Sequence, residues 1–529
     1  MKKILDYLSP NNWKNDSLSG ITVALALVPE AIAFAFVAGV DPIVGLYAAF
    51  MVSFIAAILS GRPGMISGAT GALAVVMVTL ISTGNEFGIT HDLGENVGLQ
   101  FLFATVVLMG LIQIAVGVFK LGKFARIIPH PVMLGFVNGL AVIIGLAQLS
   151  QFKTSTGEWL ANDQLLVMGG LILVTMGIMH FLPKLTKAIP SALAGIVVVS
   201  VIAIFLDSIG IHTPTVKDML GEGGTMKAGL PSFGIPDLPA SFEVLKIILP
   251  YAFILAFIGL IESLMTLSLI DEITETRGKS NKECMAQGTA NIVTGFFGGM
   301  GGCAMVGQSM INVDSNGRGR WAGIVAGLGL LGFILFASEL IEQIPLAALV
   351  GVMFMVVIGT FAWSSFRIIP RIPRADAFVL ILVSVVTIFT DLAIAVISGI
   401  IISALVFAWK KSASIWIKDS LDNNGAIHHQ LRGYVFFGSA KNFVEMFVEK
   451  IKTDPSEVYI DFARAKVLDH SGIEALNTLT EKYKKAGKKL HLQHLSSDCQ
   501  KLLKNAENLI DVNIKEDPKY KVADDILEG

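Results

Sequence analysis

Along most of the chain, apolar residues come in blocks long enough to cross a bilayer, with polar residues gathered between them. Runs of spanning length lie at about 18–38, 43–60, 98–119, 128–150, 165–182 and 189–206, with a shorter, glycine-interrupted run near 65–83. About 20 apolar residues of helix suffice to span the roughly 30 Å hydrocarbon core. After a long loop at 207–244 the runs resume at about 245–270, 284–298, 321–338, 345–365, 376–390 and 391–409, and the stretch 298–312 is a second interrupted run. The pattern predicts two sets of about seven elements, the third of each being broken. Short, glycine-interrupted segments at corresponding positions of two halves point to a transporter site built from inverted repeats.

The first break reads Gly64, Met65, Ile66, Ser67, Gly68, Ala69, Thr70, Gly71. The second carries Gly298, Gly299, Gly301, Gly302, Cys303, Ala304, Met305, Val306, Gly307 and Gln308. Each interior glycine costs a helix about 0.8–1 kcal/mol relative to alanine, so a half-helix after a turn is expected in both places. In a bilayer, such backbone persists only where it is buried in protein or lines a water-filled cavity. The free N–H groups and positive dipole end of a half-helix favour an anion. Small residues also suit close helix packing; the matching position in both halves favours a site.

Composition agrees with a polytopic membrane protein: 53% of the 529 residues are hydrophobic and 16% charged. The net charge of −2 makes no case for nucleic acid. Cys284, Cys303 and Cys499 lie far apart, with neither a disulfide framework nor zinc spacing. The first 17 residues carry lysine but no cleavable signal pattern, so the first apolar run is expected to remain as a span. No serine–histidine or cysteine–histidine spacing and no Walker loop occurs, so neither an enzyme nor an ATP-driven pump is expected.

Loop charge gives an orientation. With the amino terminus inside, the inner loops hold Lys120, Lys123 and Arg126, Lys184 and Lys187, Arg277, Lys279 and Lys282, Arg318 and Arg320, then Arg367, Arg371 and Arg374. The outer loops at 84–97 and 339–344 hold Glu86, Asp92, Glu95, Glu339 and Glu342 and no lysine or arginine, which fits the positive-inside rule. From about 410 the composition changes. An amphipathic link with Lys410, Lys411 and Trp416 leads to strand-like runs at 431–437, 458–462 and 489–495, which alternate with helix-like runs at about 439–451, 471–487 and 496–505. A small α/β domain is expected there.

Two carboxylates lie inside apolar runs. Glu262 sits within 252–269, where a charge costs about 2.5–3.5 kcal/mol at the bilayer centre. Thr266 follows four residues later on the same helical face, so carboxylate and hydroxyl could together ligate sodium or relay a proton; a protonated packing residue is the alternative. Ser263 and Ser268 read as helix-packing hydroxyls. Glu30 follows Pro29 on the first span, the element corresponding to the Glu262 helix, and suits proton coupling; snorkelling to the interface is the alternative.

Several motifs resemble the sulfate permease (SulP) anion transporters: residues 28–34 (Val28 to Phe34, with Pro29 and Glu30), Pro42 to Tyr47, Ile66 to Gly71, Glu262 with Ser263 and Leu264, Asn281 with Lys282 and Glu283, and Gln287 to Asn291. The carboxyl-terminal part resembles a STAS domain, with Asp469, His470, Ser471 and Gly472 where such domains often read Asp-Ser-Ser-Gly. The resemblance implies an all-α membrane part of fourteen elements in two inverted repeats of seven, with core and gate domains and half-helices 3 and 10, then a small α/β STAS domain. Expected boundaries are a cytoplasmic amino terminus at 1–15, a transport domain at 16–409 (repeats at about 16–206 and 245–409), a linker at 410–424 and STAS at 425–529. It also implies alternating access, a homodimer in membrane lipid, both termini cytoplasmic in a bacterial inner membrane, and a STAS-binding protein as a further partner.

By resemblance the anion lies near Thr70, Gly71, Ala304, Met305 and Val306, while Glu262 and Thr266 match sodium ligands of the bicarbonate-transporting branch and Glu30 a proton carrier. Ser471 matches a position phosphorylated in relatives of the STAS domain, although a helix cap is the simpler reading. Gln308 falls where many members carry an arginine, and Val306 replaces a hydroxyl that helps hold sodium. The expected function is secondary active symport of a small inorganic oxyanion, sulfate first and bicarbonate second, with H+ or Na+ as the co-transported ion and no other cofactor. A sodium-dependent bicarbonate transporter, a passive exchanger or channel, and a STAS-based signalling scaffold are the alternatives.

Overall fold

Only helices and closed barrels satisfy their own backbone inside lipid, so the long apolar runs should be helical. A computed structural model describes residues 13–94, 97–122, 129–153, 158–186, 190–219, 229–389, 392–421, 427–496, 499 and 513–514. Its first set of helices is α1 (Trp13–Ala38), α2 (Pro42–Leu59), α3 (Gly71–Thr90), α4 (Gly98–Val118), α5 (His130–Ala147), α6 (Asn162–Leu185) and α7 (Ser191–Ser208), with strand β1 (Ser67–Gly68) before α3. The second is α8 (Phe242–Thr274), α9 (Ser280–Phe296), α10 (Val306–Asp314), α11 (Arg320–Phe336), α12 (Leu346–Thr360), α13 (Arg374–Phe389) and α14 (Leu392–Ser412), with β2 (Cys303–Ala304) before α10. Nine helices among the described residues are long and apolar enough to cross a membrane.

Helix packing repeats between the two sets. Helix α4 packs on α9 and on α8; the counterparts seven elements away, α11 on α2 and α11 on α1, pack likewise. Helix α5 packs on α13, and its counterpart α12 packs on α6. On the axis of this exchange β1 pairs antiparallel with β2, Ser67 opposite Ala304 and Gly68 opposite Cys303. Such exchange of partners fits a chain built of two related halves.

The two broken elements differ in length. Helix α10 is short, at 9 residues, but α3 runs for 20, so the expected outer loop from 84 to 90 is helix and Glu86 lies on it. Its polar end is satisfied locally: the Thr83 and Thr90 hydroxyls donate to the carbonyls of Thr79 and Glu86, and Asn85 accepts from the N–H of Gly98.

The chain forms two compact units, 1–400 and 401–529. In the second, β3 (Trp416–Leu421) pairs antiparallel with β4 (Ile427–Val435), and β4, β5 (Glu457–Val467), β6 (Lys489–Gln493) and β7 (Asn513–Ile514) run parallel. Helices α15 (Ala440–Val448) and α16 (His470–Lys485) supply Phe443, Phe447, Leu476, Leu479 and Tyr483 to its core. The stretch expected as a linker, 410–424, therefore finishes α14 and supplies β3, with Trp416 a strand residue over which Arg432 stacks at 4.7 Å. The third expected helix, 496–505, falls largely outside the described residues.

A polar line crosses this core. The fully buried His429 contacts Asp419 at 2.7 Å through Nδ1 and Asp454 at 3.0 Å through Nε2, and the Tyr483 hydroxyl donates to Asp454 at 2.6 Å. Burial, then the bond to Asp454, pushes the Tyr483 phenol up from its ordinary value. A folded-state value above the unfolded one means that this stabilisation is complete below pH ~10 and is lost as pH rises beyond it. Tyr483→Phe is expected to destabilise the domain by about 1–3 kcal/mol at neutral pH and to flatten the alkaline limb of a melting-temperature profile.

Candidate functional site

Helices α3 and α10 start abruptly from the β1–β2 crossing. Thr70 and Met305, the residues before α3 and α10, are extended, and neither start is capped by a side chain. Orphan N–H groups and the positive ends of two helices are therefore left for a ligand. Helix α1 runs past both starts. The Gln308 amide, in the first turn of α10, donates to the Glu30 carboxylate, and a Cβ on Gly71 would lie 2.8 Å from Phe34 Cε1 and from Ile144 Cδ1. The start of α10 stays open, with Val306 40% exposed while Met305 is buried.

Helix α8 approaches the crossing from the other half. Ser263 Oγ accepts from Ala304 N at 3.1 Å, so this serine latches the strand instead of only packing a helix. Ser268 does bond within its helix, to Leu264 O at 2.9 Å. The Glu262 carboxylate receives the Cys303 thiol at 2.7 Å, and the same sulfur lies 3.5 Å from Thr70 Oγ1. Thr266 does not meet that carboxylate: its hydroxyl donates to the Glu262 carbonyl at 2.8 Å, with Ala304 O at 3.4 Å. A threonine four residues on reaches its own helix carbonyl more readily than a neighbouring carboxylate. Among the described residues, no cluster of three or more histidine, cysteine and acidic side chains is placed to hold a metal.

A polar stripe on α9 clamps the crossing from behind. Asn291 accepts from Gly302 N at 2.8 Å, donates to Gly302 O at 3.0 Å and reaches Gln113 on α4. Gln287 donates to Ser67 Oγ and to the buried Glu283, which in turn accepts from Ser60 Oγ and Gly61 N. Glu283, Gln287 and Asn291, spaced by four, lie on one face of α9, and that spacing is the signal by which the sequence could have marked these supporting residues.

Thr70, Gly71, Ala304, Met305, Val306, Gln308, Glu30 and Glu262 thus gather around the crossing, and Cys303 joins them. Ser471 lies in the separate domain near the start of α16, where the cap is Asp469, which accepts from Gly472 N at 2.9 Å and from Phe437 N at 2.8 Å. Filling the space beside the α3 start tests its role. Gly71→Val is expected to lower anion uptake at least about tenfold, because two branched methyls would stand against Phe34 and Ile144. Uptake into vesicles with matched protein content measures this.

Comparison with known proteins gives a consistent result. Residues 13–383 match the Sulfate permease family and residues 421–519 the STAS domain. YbaR of Bacillus subtilis, a protein named for sulfate transport, is 42% identical over 93% of this chain and 97% of its own length. The bicarbonate transporter BicA of Picosynechococcus is 33% identical over 74% of this chain and 69% of its own. Among solved structures, the transmembrane domain of a cyanobacterial BicA superposes with a TM-score of 0.63 at 30% identity, covering 73% of this chain and 98% of that domain. The overall structure of SLC26A9 superposes at 0.79 over 96% of this chain and 90% of its own; at 16% identity it speaks for the fold alone.

Proposed function

The chain belongs to the Sulfate permease family and ends in a STAS domain, so it is an integral membrane transporter of small inorganic anions and not an enzyme, and from that premise we propose that it is a secondary active symporter of an oxyanion, sulfate before bicarbonate. The observation that carries this reading is the meeting of two uncapped helix starts beside two intramembrane carboxylates, Glu30 and Glu262, on corresponding helices. The helix ends would hold the anion, and protonation of a carboxylate or binding of a cation would compensate its charge before the site turns across the membrane. With Gln308 in place of a fixed cation, a dianion relies on such co-binding, which favours symport over passive exchange.

The reading places the site in a bacterial inner membrane with both termini cytoplasmic and the protein as a homodimer, and leaves Ser471 as a regulatory position through which a STAS partner could act. Sodium-dependent bicarbonate transport is the second reading, favoured by the likeness to BicA. Uptake of labelled sulfate and bicarbonate into proteoliposomes, with proton and sodium gradients imposed separately, distinguishes them. Sulfate accumulation driven by inward protons supports the first reading, bicarbonate uptake that requires sodium supports the second, and uptake of neither rejects both.

A further inference from the structure

The Glu262 pocket has a composition that neither reading assigned. Its oxygens are the Glu262 carboxylate, the Thr70 hydroxyl and, one step away, Thr266 Oγ1 and Ala304 O, all groups that a hard cation such as sodium accepts. Beside both, and with the Thr70 hydroxyl also bonded to the carboxylate, lies the sulfur of Cys303, wholly buried, with its S–H turned to the carboxylate. The amide Nε2 of the fully buried Gln113 lies 3.0 Å from where a Cβ of Gly259 would be, with Cys303 Cβ 3.5 Å from that point, and it has no hydrogen-bond partner among the described residues. The thiol therefore presents a donor to the carboxylate where a cation would need an acceptor. The Thr266 hydroxyl is committed to backbone carbonyls.

We propose that the Cys303 thiol is the specificity-determining group of this pocket: it excludes sodium and leaves Glu262 to a proton. The inference rests on the symport reading and narrows its coupling ion. Sulfur is a soft, weak ligand for a hard cation, and it occupies a place against the carboxylate that an oxygen ligand would need. The proton needs no such shell. It needs one carboxylate oxygen, and a thiol that donates to the ionised carboxylate can turn away when that oxygen is protonated. Glu30, the other intramembrane carboxylate here, is engaged by Gln308 and leaves this arrangement unchanged.

The test compares the full-length protein with Cys303→Ser, which puts a harder oxygen donor at the same place, and Cys303→Ala, which removes the donor. Thermal unfolding in detergent is followed in sodium chloride and in choline chloride at equal ionic strength. The wild-type midpoint is expected to be the same in both salts, Cys303→Ser to gain about 2 °C or more in sodium, and Cys303→Ala to gain less than the serine variant. In proteoliposomes, sodium is expected to raise uptake by Cys303→Ser several-fold and wild-type uptake not at all. Sodium stabilisation of the wild type overturns the proposal even if no variant folds, and so does a serine variant as indifferent to sodium as its parent. A wild type that accumulates no anion under either gradient rejects the symport reading instead, while the melting comparison still decides the role of the thiol.

Discussion

Glu262→Gln is expected to abolish gradient-driven anion accumulation while leaving a folded protein. The amide keeps the side chain's size, and its carbonyl can still accept the Cys303 thiol, so the contact between α8 and β2 survives. The adjacent latch from Ser263 to Ala304 is untouched. What the amide cannot do is take up a proton or neutralise a cation. Uptake against a gradient should fall at least about tenfold, the loss of roughly 1.4 kcal/mol or more of coupling. Exchange of labelled for unlabelled anion at equilibrium should fall much less, because the helix starts proposed to hold the anion remain. Labelled-anion accumulation and exchange in the same vesicles, with melting temperature as the folding control, measure the difference. A passive exchanger or channel would show no cation-driven accumulation even in the wild type, and uptake unchanged in the variant.

Gly302→Ala is expected to have a comparably large effect through the backbone. A Cβ at Gly302 would lie 2.1 Å from Gly68 O and 2.6 Å from Gly68 C, both main-chain atoms with no rotamer into which to retreat. The crossing would have to open, breaking the register of Gly68 with Cys303 and pulling Gly302 off the two-way clasp of Asn291. A destabilisation of about 3 kcal/mol, the upper end for overpacking, is expected together with loss of transport. Gly169→Ala is the control, since nothing lies within 4 Å of a Cβ there. Thermal unfolding of both variants beside uptake separates the crossing from a general intolerance of added methyls.

How much of this was legible in the sequence varies with the range of the interaction involved. Apart from the two broken elements, the helices of both sets begin and end within a few residues of the apolar runs, because bilayer thickness and backbone satisfaction act locally on each segment. The two breaks and the two intramembrane carboxylates were legible for the same reason: glycine-rich sequence and a carboxylate inside an apolar run conflict with their surroundings wherever the rest of the chain goes. The length of α3 was not, since Thr83, Asn85 and Thr90 look like loop residues until their bonds to nearby backbone are seen. Trp416 resembled a membrane-surface residue until its strand paired with β4. The Cys303 thiol, with its partners Glu262 and Thr70 some 41 and 233 residues away, owes its place to the antiparallel crossing of β1 and β2, which periodicity within a single run does not encode.

The central claim is that the anion sits between the starts of α3 and α10. Anomalous scattering from selenate, a heavier analogue of sulfate, bound to crystals of the full-length protein tests it most directly. The account predicts a selenium peak within hydrogen-bonding reach of the backbone N–H groups at Gly71 and Val306, beside Phe34. A peak elsewhere in the chain, with the space between the two helix starts empty, would contradict it.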